Sequence, residues 1–367
     1  MSTHKVIIAA AGSGKTTHIV RQALENPDAR ILITTYTVDN TEEIKRKFRE
    51  LNRYIPPNII ILPWFSFVLQ HLIRPYQRVI YEKRISYLHL FNGNSARYTK
   101  EANIKEHYLS NDETIYSDKA AKMAVKINEK TNGAVINRLQ LIFSHIFIDE
   151  IQDMAGYDLS ILSLLCDSNI NTIFVGDPRQ STYLTNHNPK NKNYSKENII
   201  GYFKVLERKA KITIDDSSLN TNYRSLPEIC TFSNTIYPEY PKVNSSDIDY
   251  KGHRGLYWVR EEDIEEYIKD TNAIILRHDR KTKVDPKYAC LNYGESKGRT
   301  FNHALIYPTE GILKWLCNGK PLADTTRSKF YVAATRPRYS LAIIDKTGKA
   351  SNIHFNKYKN NKKNPLL

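Results

Sequence analysis

Short apolar runs alternate with amphipathic stretches along this chain. Lys5–Ala10 (KVIIAA), Arg30–Thr35 (RILITT), Ile59–Leu62, Ser144–Asp149 (SHIFID) and Thr172–Val175 (TIFV) are compact and rich in β-branched residues. Runs of this length and composition predict strands buried on both faces. Helical spacing follows from about Thr16 and again over Thr41–Glu50 (TEEIKRKFRE). Strands alternating with helices predict a parallel sheet covered on both sides. The same grammar restarts after about Leu219, with strands predicted at Ala273–Leu276, Ala304–Tyr307 and Leu341–Asp345 and helices at Leu226–Ile236 and Lys329–Thr335. The expected fold is therefore α/β in two lobes, the first made of 1–69 with 138–215 and the second of 216–345. Residues 70–137 are rich in Tyr, Lys and Asn and lack strand grammar, so they are expected to form a mostly helical insertion in the first lobe. The stretch 346–367, ending in NKYKNNKKNPLL, is polar and basic and is expected to be a disordered tail.

Composition adds a partner class. Of the 367 residues, 54 are Lys or Arg and 39 are Asp or Glu, a net charge of +15. A surplus of this size favours an anionic partner, of which nucleic acid is the commonest. The four cysteines are scattered and form no CxxC pair, which argues against a zinc site or a disulfide framework. No signal-peptide pattern opens the chain and no apolar run is long enough to span a bilayer, so a cytoplasmic setting without membrane contact is expected.

Three strings carry chemistry, each just after a predicted strand: AAGSGKTT at Ala10–Thr17, IDEIQD at Ile148–Asp153 and GDPRQ at Gly176–Gln180. In the first, glycines let backbone N–H groups of Ala11, Gly12, Ser13 and Gly14 face phosphate oxygens, and the following helix N-terminus adds positive potential. Lys15 is placed to reach the β- and γ-phosphates, Thr16 to ligate Mg²⁺, and Thr17 completes the cradle. The usual first glycine is Ala9 here. In the second string Asp149 is expected to hold Mg²⁺ and Glu150 to polarise the attacking water. In the third, Gln180 is placed to sense the γ-phosphate.

The ordered set resembles the UvrD/PcrA/Rep-like superfamily-one DNA helicases. Besides the three strings, ITTYTVDNTEEIK (Ile33–Lys45), WFSF (Trp64–Phe67), LNTNYRS (Leu219–Ser225), GESKGRTF (Gly294–Phe301) and FYVAATRPRYSL (Phe330–Leu341) are similar to successive family motifs. The resemblance covers both lobes but not the insertion. It implies two RecA-like P-loop lobes, with ATP and Mg²⁺ as cofactors and Arg224 and Arg336 as arginine fingers on the γ-phosphate. It also implies a single-stranded DNA track on which Tyr36 and Tyr183 stack bases, with Thr37, Ser66 and Ser296 on phosphates; RNA is not excluded. The implied activity is ATP-driven translocation or unwinding, 3′→5′.

Departures temper the inference. The family's stacking tryptophan is Thr185, the glutamate of the KGLEF motif is Thr300, and WFSF lacks the histidine. No adenine-reading glutamine stands upstream of Ala9, so weak selectivity for the nucleotide base is expected. The span from Ser225 to Gly294 is too short for the large second-lobe insertion of relatives. An alternative reading is therefore an ATP-gated DNA sensor or motor subunit that signals to a protein partner, such as a nuclease in a repair or anti-phage complex.

Overall fold

The apolar runs become parallel strands, and they do so in two separate units. In a computed structural model describing residues 2–91, 93–182, 185, 188–209, 211–345 and 353–358, Met1–Ala9 joins Lys15–Ser218 in one unit, and Ala10–Gly14 joins Leu219–Leu367 in the other.

The first unit's main sheet is built from β1 (His4–Ile8), β2 (Ile31–Thr35) and β3 (Ile59–Pro63). Three short strands, β4 (Tyr87–His89), β5 (Leu109–Asn111) and β6 (Thr114–Tyr116), interrupt the count before β7 (His145–Ile148), β8 (Asn171–Gly176) and β9 (Thr213–Asp215) return to it. The order is β3-β2-β7-β8-β1-β9, with every pairing parallel. One strand thus separates β1 from β7. Registers such as Ile8 opposite Gly176 and Thr34 opposite Ile148 bring the carboxyl ends of these strands out along one edge, the edge where parallel α/β sheets bind ligands. Val6, Leu32, Ile146, Ile148 and Phe174 lie in the core beneath, all fully buried.

Helix Lys15–Leu24 buries Ile19, Val20 and Ala23, and helix Val38–Asn52 buries Thr41, Ile44 and Phe48, the stripe that helical periodicity requires. On the opposite face of the second helix, Lys45 pairs with Glu42 and Lys47 with Glu50. That basic run is a solvated, internally paired face.

The 70–137 segment differs in part from the expectation. It holds helices Ile104–Tyr108 and Ser117–Lys130, but also a three-stranded sheet, β4-β6-β5, in which β5 and β6 are antiparallel. Strands of three residues give too little alternation to register as a pattern.

In the second unit β10 (Thr221–Asn222) pairs with β11 (Asn244–Ser245). The main sheet comprises β12 (Gly255–Arg260), β13 (Ile274–Arg277), β14 (Cys290–Asn292), β15 (Phe301–Tyr307), β16 (Pro337–Asp345) and β17 (Asn356–Lys357). Its order is β14-β13-β15-β16-β12-β17, again parallel throughout. The last strand corrects the expected disorder of the tail over 353–358. Phe355 is buried against Trp258 and Phe232, and Tyr358 packs on Tyr267. Two aromatic anchors therefore hold a segment whose composition reads as solvated. Residues 346–352 and 359–367 lie outside the described residues.

Candidate functional site

At the end of β7 the chain enters the acidic string. Asp149 N–H donates to the Thr34 carbonyl on β2 (2.9 Å), which continues the sheet by one residue. Glu150 then takes the left-handed conformation, φ 58° and ψ 42°, a state that costs a non-glycine residue about 1–3 kcal/mol and concentrates at functional positions. Its N–H donates back to Asp149 Oδ1 (2.8 Å). The Asp149 carboxyl is pushed above the usual carboxylate range, first by burial and then by the Glu150 carboxylate, against the opposing pull of Lys15.

Gln152 is fully buried and wires this turn to the next strand. Its side-chain amide donates to the Glu150 carboxylate, and its Oε1 accepts the Asp177 N–H (3.1 Å) just past β8. Asp177 in turn accepts from Arg179 Nε (2.7 Å) and from Gln180 Nε2 (2.8 Å), and Arg179 Nη2 reaches the Ala9 carbonyl after β1 (3.4 Å). One buried polar network thus joins the ends of β7, β8 and β1. Gln180, expected to sense a phosphate, is a buried member of it. Gln152 and Arg179 lie inside the acidic and GDPRQ strings, where neither type nor spacing marks them as links between strand ends.

The glycine string turns as expected at two positions, Gly12 (φ 73°) and Gly14 (φ 82°). Ala9 has no positive φ and continues the sheet by donating to the Gly176 carbonyl (2.9 Å), so the absent first glycine leaves no strain. Lys15, Thr16 and Thr17, all half-buried, open helix Lys15–Leu24, whose first N–H groups have no intrahelical acceptor. Within the second unit, Ala10 N–H donates to the Leu219 carbonyl and Tyr223 N–H to the Gly12 carbonyl, both at 2.9 Å. Ala11 is buried, and Ser13 Oγ donates to the Ala10 carbonyl (2.9 Å). A Cβ on Gly12 would lie 2.5 Å from Asn222 Oδ1. Tyr223 therefore borders the glycine loop, and its ring is 66% exposed. It sits inside the quoted LNTNYRS string and was passed over there.

The second unit brings its two arginines to one residue. Arg224 Nη1 donates to the Thr335 carbonyl (3.2 Å), and Arg336 Nη2 donates to the Thr335 hydroxyl (3.1 Å). Arg336 is almost fully buried, with Nε on the Val332 carbonyl (2.9 Å).

The strand-contact candidates fare unevenly. Tyr36 follows β2, half-buried, edge-on to Phe65 (5.9 Å), and Ser66 lies in the adjacent turn of helix Trp64–Phe67. Thr37 is exposed, and its hydroxyl caps helix Val38–Asn52 by accepting the Asn40 N–H (3.1 Å). Ser296 departs from the expectation of a phosphate contact: it is fully buried and donates to the Tyr293 carbonyl (2.6 Å), which locks its own turn. Tyr183 lies outside the described residues. Thr185 is an interior residue rather than a stacking wall. It donates to Asp158, which also accepts the Trp64 indole N–H (2.8 Å), and it receives the Ala155 N–H (2.9 Å).

Among the described residues no group of three or more His, Cys, Asp or Glu side chains could hold a metal. The expected donors are the buried Asp149 carboxylate and the half-buried Thr16 hydroxyl. Hard oxygen donors this few fit a magnesium ion that arrives with phosphate oxygens and keeps part of its water, and a buried carboxyl with raised proton affinity is one that such a cation would hold ionised.

Residues 81–197 match the family model described as the UvrD/REP helicase N-terminal domain. Over that stretch the chain is similar to the UvrD/REP helicases. The matched stretch begins inside the 70–137 segment, which the motif reading had left outside the resemblance, and runs through both the acidic string and GDPRQ. No curated protein matches the chain. Among solved structures it is similar to the arterivirus nonstructural protein 10 helicase at 14% identity, covering 95% of this chain with a TM-score of 0.48. It is likewise similar to the complex of arterivirus nonstructural protein 10 with DNA, at 15% identity, 94% coverage and a TM-score of 0.49. The chain spans 60% of the length of each of those helicases. No helix among the described residues is long and apolar enough to cross a membrane.

Proposed function

We propose that this helicase-like chain is an ATP-driven motor on single-stranded DNA that travels 3′→5′. The observation that carries the reading is the buried network through Gln152, Asp177 and Arg179, which fixes the acidic turn at the carboxyl edge of the first sheet. In this proposal the glycine loop and Lys15 grip the triphosphate, and Thr16 and Asp149 hold Mg²⁺, which supplies charge neutralisation when bound. Glu150, kept in its strained conformation by Gln152, orients the attacking water. Arg224 and Arg336 stabilise the charge that develops on the γ-phosphate, and Thr335 holds the two side by side. Tyr36 and Tyr183 stack bases, while Thr37 and Ser66 accompany the backbone.

The test is NTP hydrolysis with and without single-stranded DNA. Lys15→Ala should abolish turnover. Glu150→Gln should keep nucleotide binding and stall cleavage. Wild-type hydrolysis indifferent to DNA would refute the motor. Duplexes with 3′ or 5′ tails read direction. The short span from Ser225 to Gly294 favours a second reading, in which the chain gates a protein partner and unwinds little alone. Strand-stimulated hydrolysis without displacement of either duplex would select it.

A further inference from the structure

A cavity of about 570 Å³ lies in the second unit, lined by helix Pro227–Ile236 and the segment from Pro238 to Ser245. Its walls are clamped together. Asn234 Nδ2 donates to the Val243 carbonyl and Val243 N–H donates to Asn234 Oδ1, both at 3.0 Å, while the Cys230 thiol also donates to the Val243 carbonyl (3.2 Å). Cys230 and Val243 form one buried apolar cluster with Ala10, so the inner wall rests on the first residue of the glycine loop.

The lining chemistry is one-sided. No carboxylate lines the cavity. The acidic residues adjoining it in sequence are held elsewhere: Glu228 by Arg254 (2.9 Å) and Glu239 by Arg327 (2.6 Å). Lys242 lines it as an exposed ammonium that makes no ion pair among the described residues. Thr231 and Asn244, both exposed, add a hydroxyl and an amide, and Pro227, Pro238 and the Tyr240 ring add flat apolar surface. The volume falls within the range of small-molecule sites, about 300–1,000 Å³. An unneutralised ammonium beside flat apolar walls and amide donors suits a heteroaromatic ring that carries a phosphate.

We infer that this cavity binds one nucleotide unit, with its phosphate on Lys242 and its base against Tyr240, separate from the triphosphate assigned to Lys15. The unit comes from a strand or from a free mononucleotide. The inference does not need hydrolysis, so its failure is distinguishable from failure of the motor reading.

The experiment uses the full chain carrying Lys15→Ala, titrated with dTMP, with inorganic phosphate and with fluorescein-labelled (dT)12. The expected result is saturable binding of dTMP or of (dT)12 that weakens at least tenfold with Lys242→Glu. Thr231→Trp, which fills the cavity from an exposed helix position, should do the same. Binding of dTMP identifies a free-nucleotide site, and a tenfold loss seen with (dT)12 alone identifies the strand. Unchanged binding of both probes in both variants, with circular dichroism intact, overturns the inference. Inorganic phosphate binding as tightly as dTMP overturns the role given to the base.

Discussion

Gly176→Ala is a one-methyl probe of the wiring behind Glu150. A Cβ at this last residue of β8 would collide with Gln152 Oε1 and would lie 2.6 Å from Ile151 Cγ1 and 3.2 Å from the Ile151 backbone nitrogen. The two side-chain atoms are interior, because Ile151 and Gln152 are fully buried. Forcing a methyl into a packed interior costs about 1–3 kcal/mol. If Gln152 retreats, the Asp177 N–H loses its acceptor, and a buried unsatisfied donor costs about 1–3 kcal/mol more. The expected destabilisation is therefore about 2–6 kcal/mol, read as a fall in the urea midpoint at constant slope. The same retreat releases Glu150, and a misplacement of about 1 Å costs on the order of a hundredfold in rate. Strand-stimulated hydrolysis should fall by that factor while nucleotide affinity holds. Gln152→Ala removes the nearest clashing atom. The double variant should thus be less destabilised than the two single effects added together, by about 1 kcal/mol or more for residues in contact. Strict additivity, or Gly176→Ala with wild-type turnover, would refute the wiring.

Three further outcomes are expected. Arg336→Ala should lower stability as well as turnover, since it strips donors from the Val332 carbonyl and the Thr335 hydroxyl in a buried setting; a urea midpoint equal to wild type would count against this packing. We propose that the exposed Tyr223 ring, beside the glycine loop, stacks on the nucleotide base: Tyr223→Ala should then raise the Km for nucleotide roughly tenfold, as loss of a stacking ring costs about 1–3 kcal/mol, and Tyr223→Phe should leave it unchanged. His303 is held down to about 4, first by burial and then by His253, so an unfolded chain takes up its proton earlier as pH falls. The stability it contributes is therefore full above about 6.5, declines between about 6.5 and 4, and levels off below. His303→Asn should flatten that part of a pH–stability curve measured by urea unfolding.

The strands that lead into the candidate site were the legible ones. β1, β2, β7 and β8 are buried on both faces, and such burial demands unbroken apolar runs that a pattern search finds. β12 (GLYWVR) escaped because its run, Leu256–Val259, is short and only half-buried at three of its positions, and the three-residue strands of the 81–116 region offer no period at all. The site divides in the same way. Residues proposed to touch a ligand announce themselves by type and spacing, as Lys15, Asp149 and Glu150 do. Residues that only hold others in place, such as Gln152, Arg179 and Thr335, depend on neighbours brought by the fold. Ser296 and Thr185 illustrate the converse, where a string similar to a contact motif places an interior hydroxyl. The tail failed for a related reason: Phe355 and Tyr358 find partners on Trp258 and Tyr267 that no local window contains.

The grouping of Ala10–Gly14 with Leu219–Ser225 has a consequence during synthesis. A nascent chain emerges amino end first, and its leading unit can fold as it appears. The turn proposed to take phosphate would then lack its hydrogen-bond partners at Leu219 and Tyr223 until LNTNYRS leaves the ribosome. On the proposed function, a firm grip on nucleotide would wait until Ser225 of the 367 residues has emerged, and a truncated product ending before Leu219 should carry a folded sheet that holds triphosphate poorly.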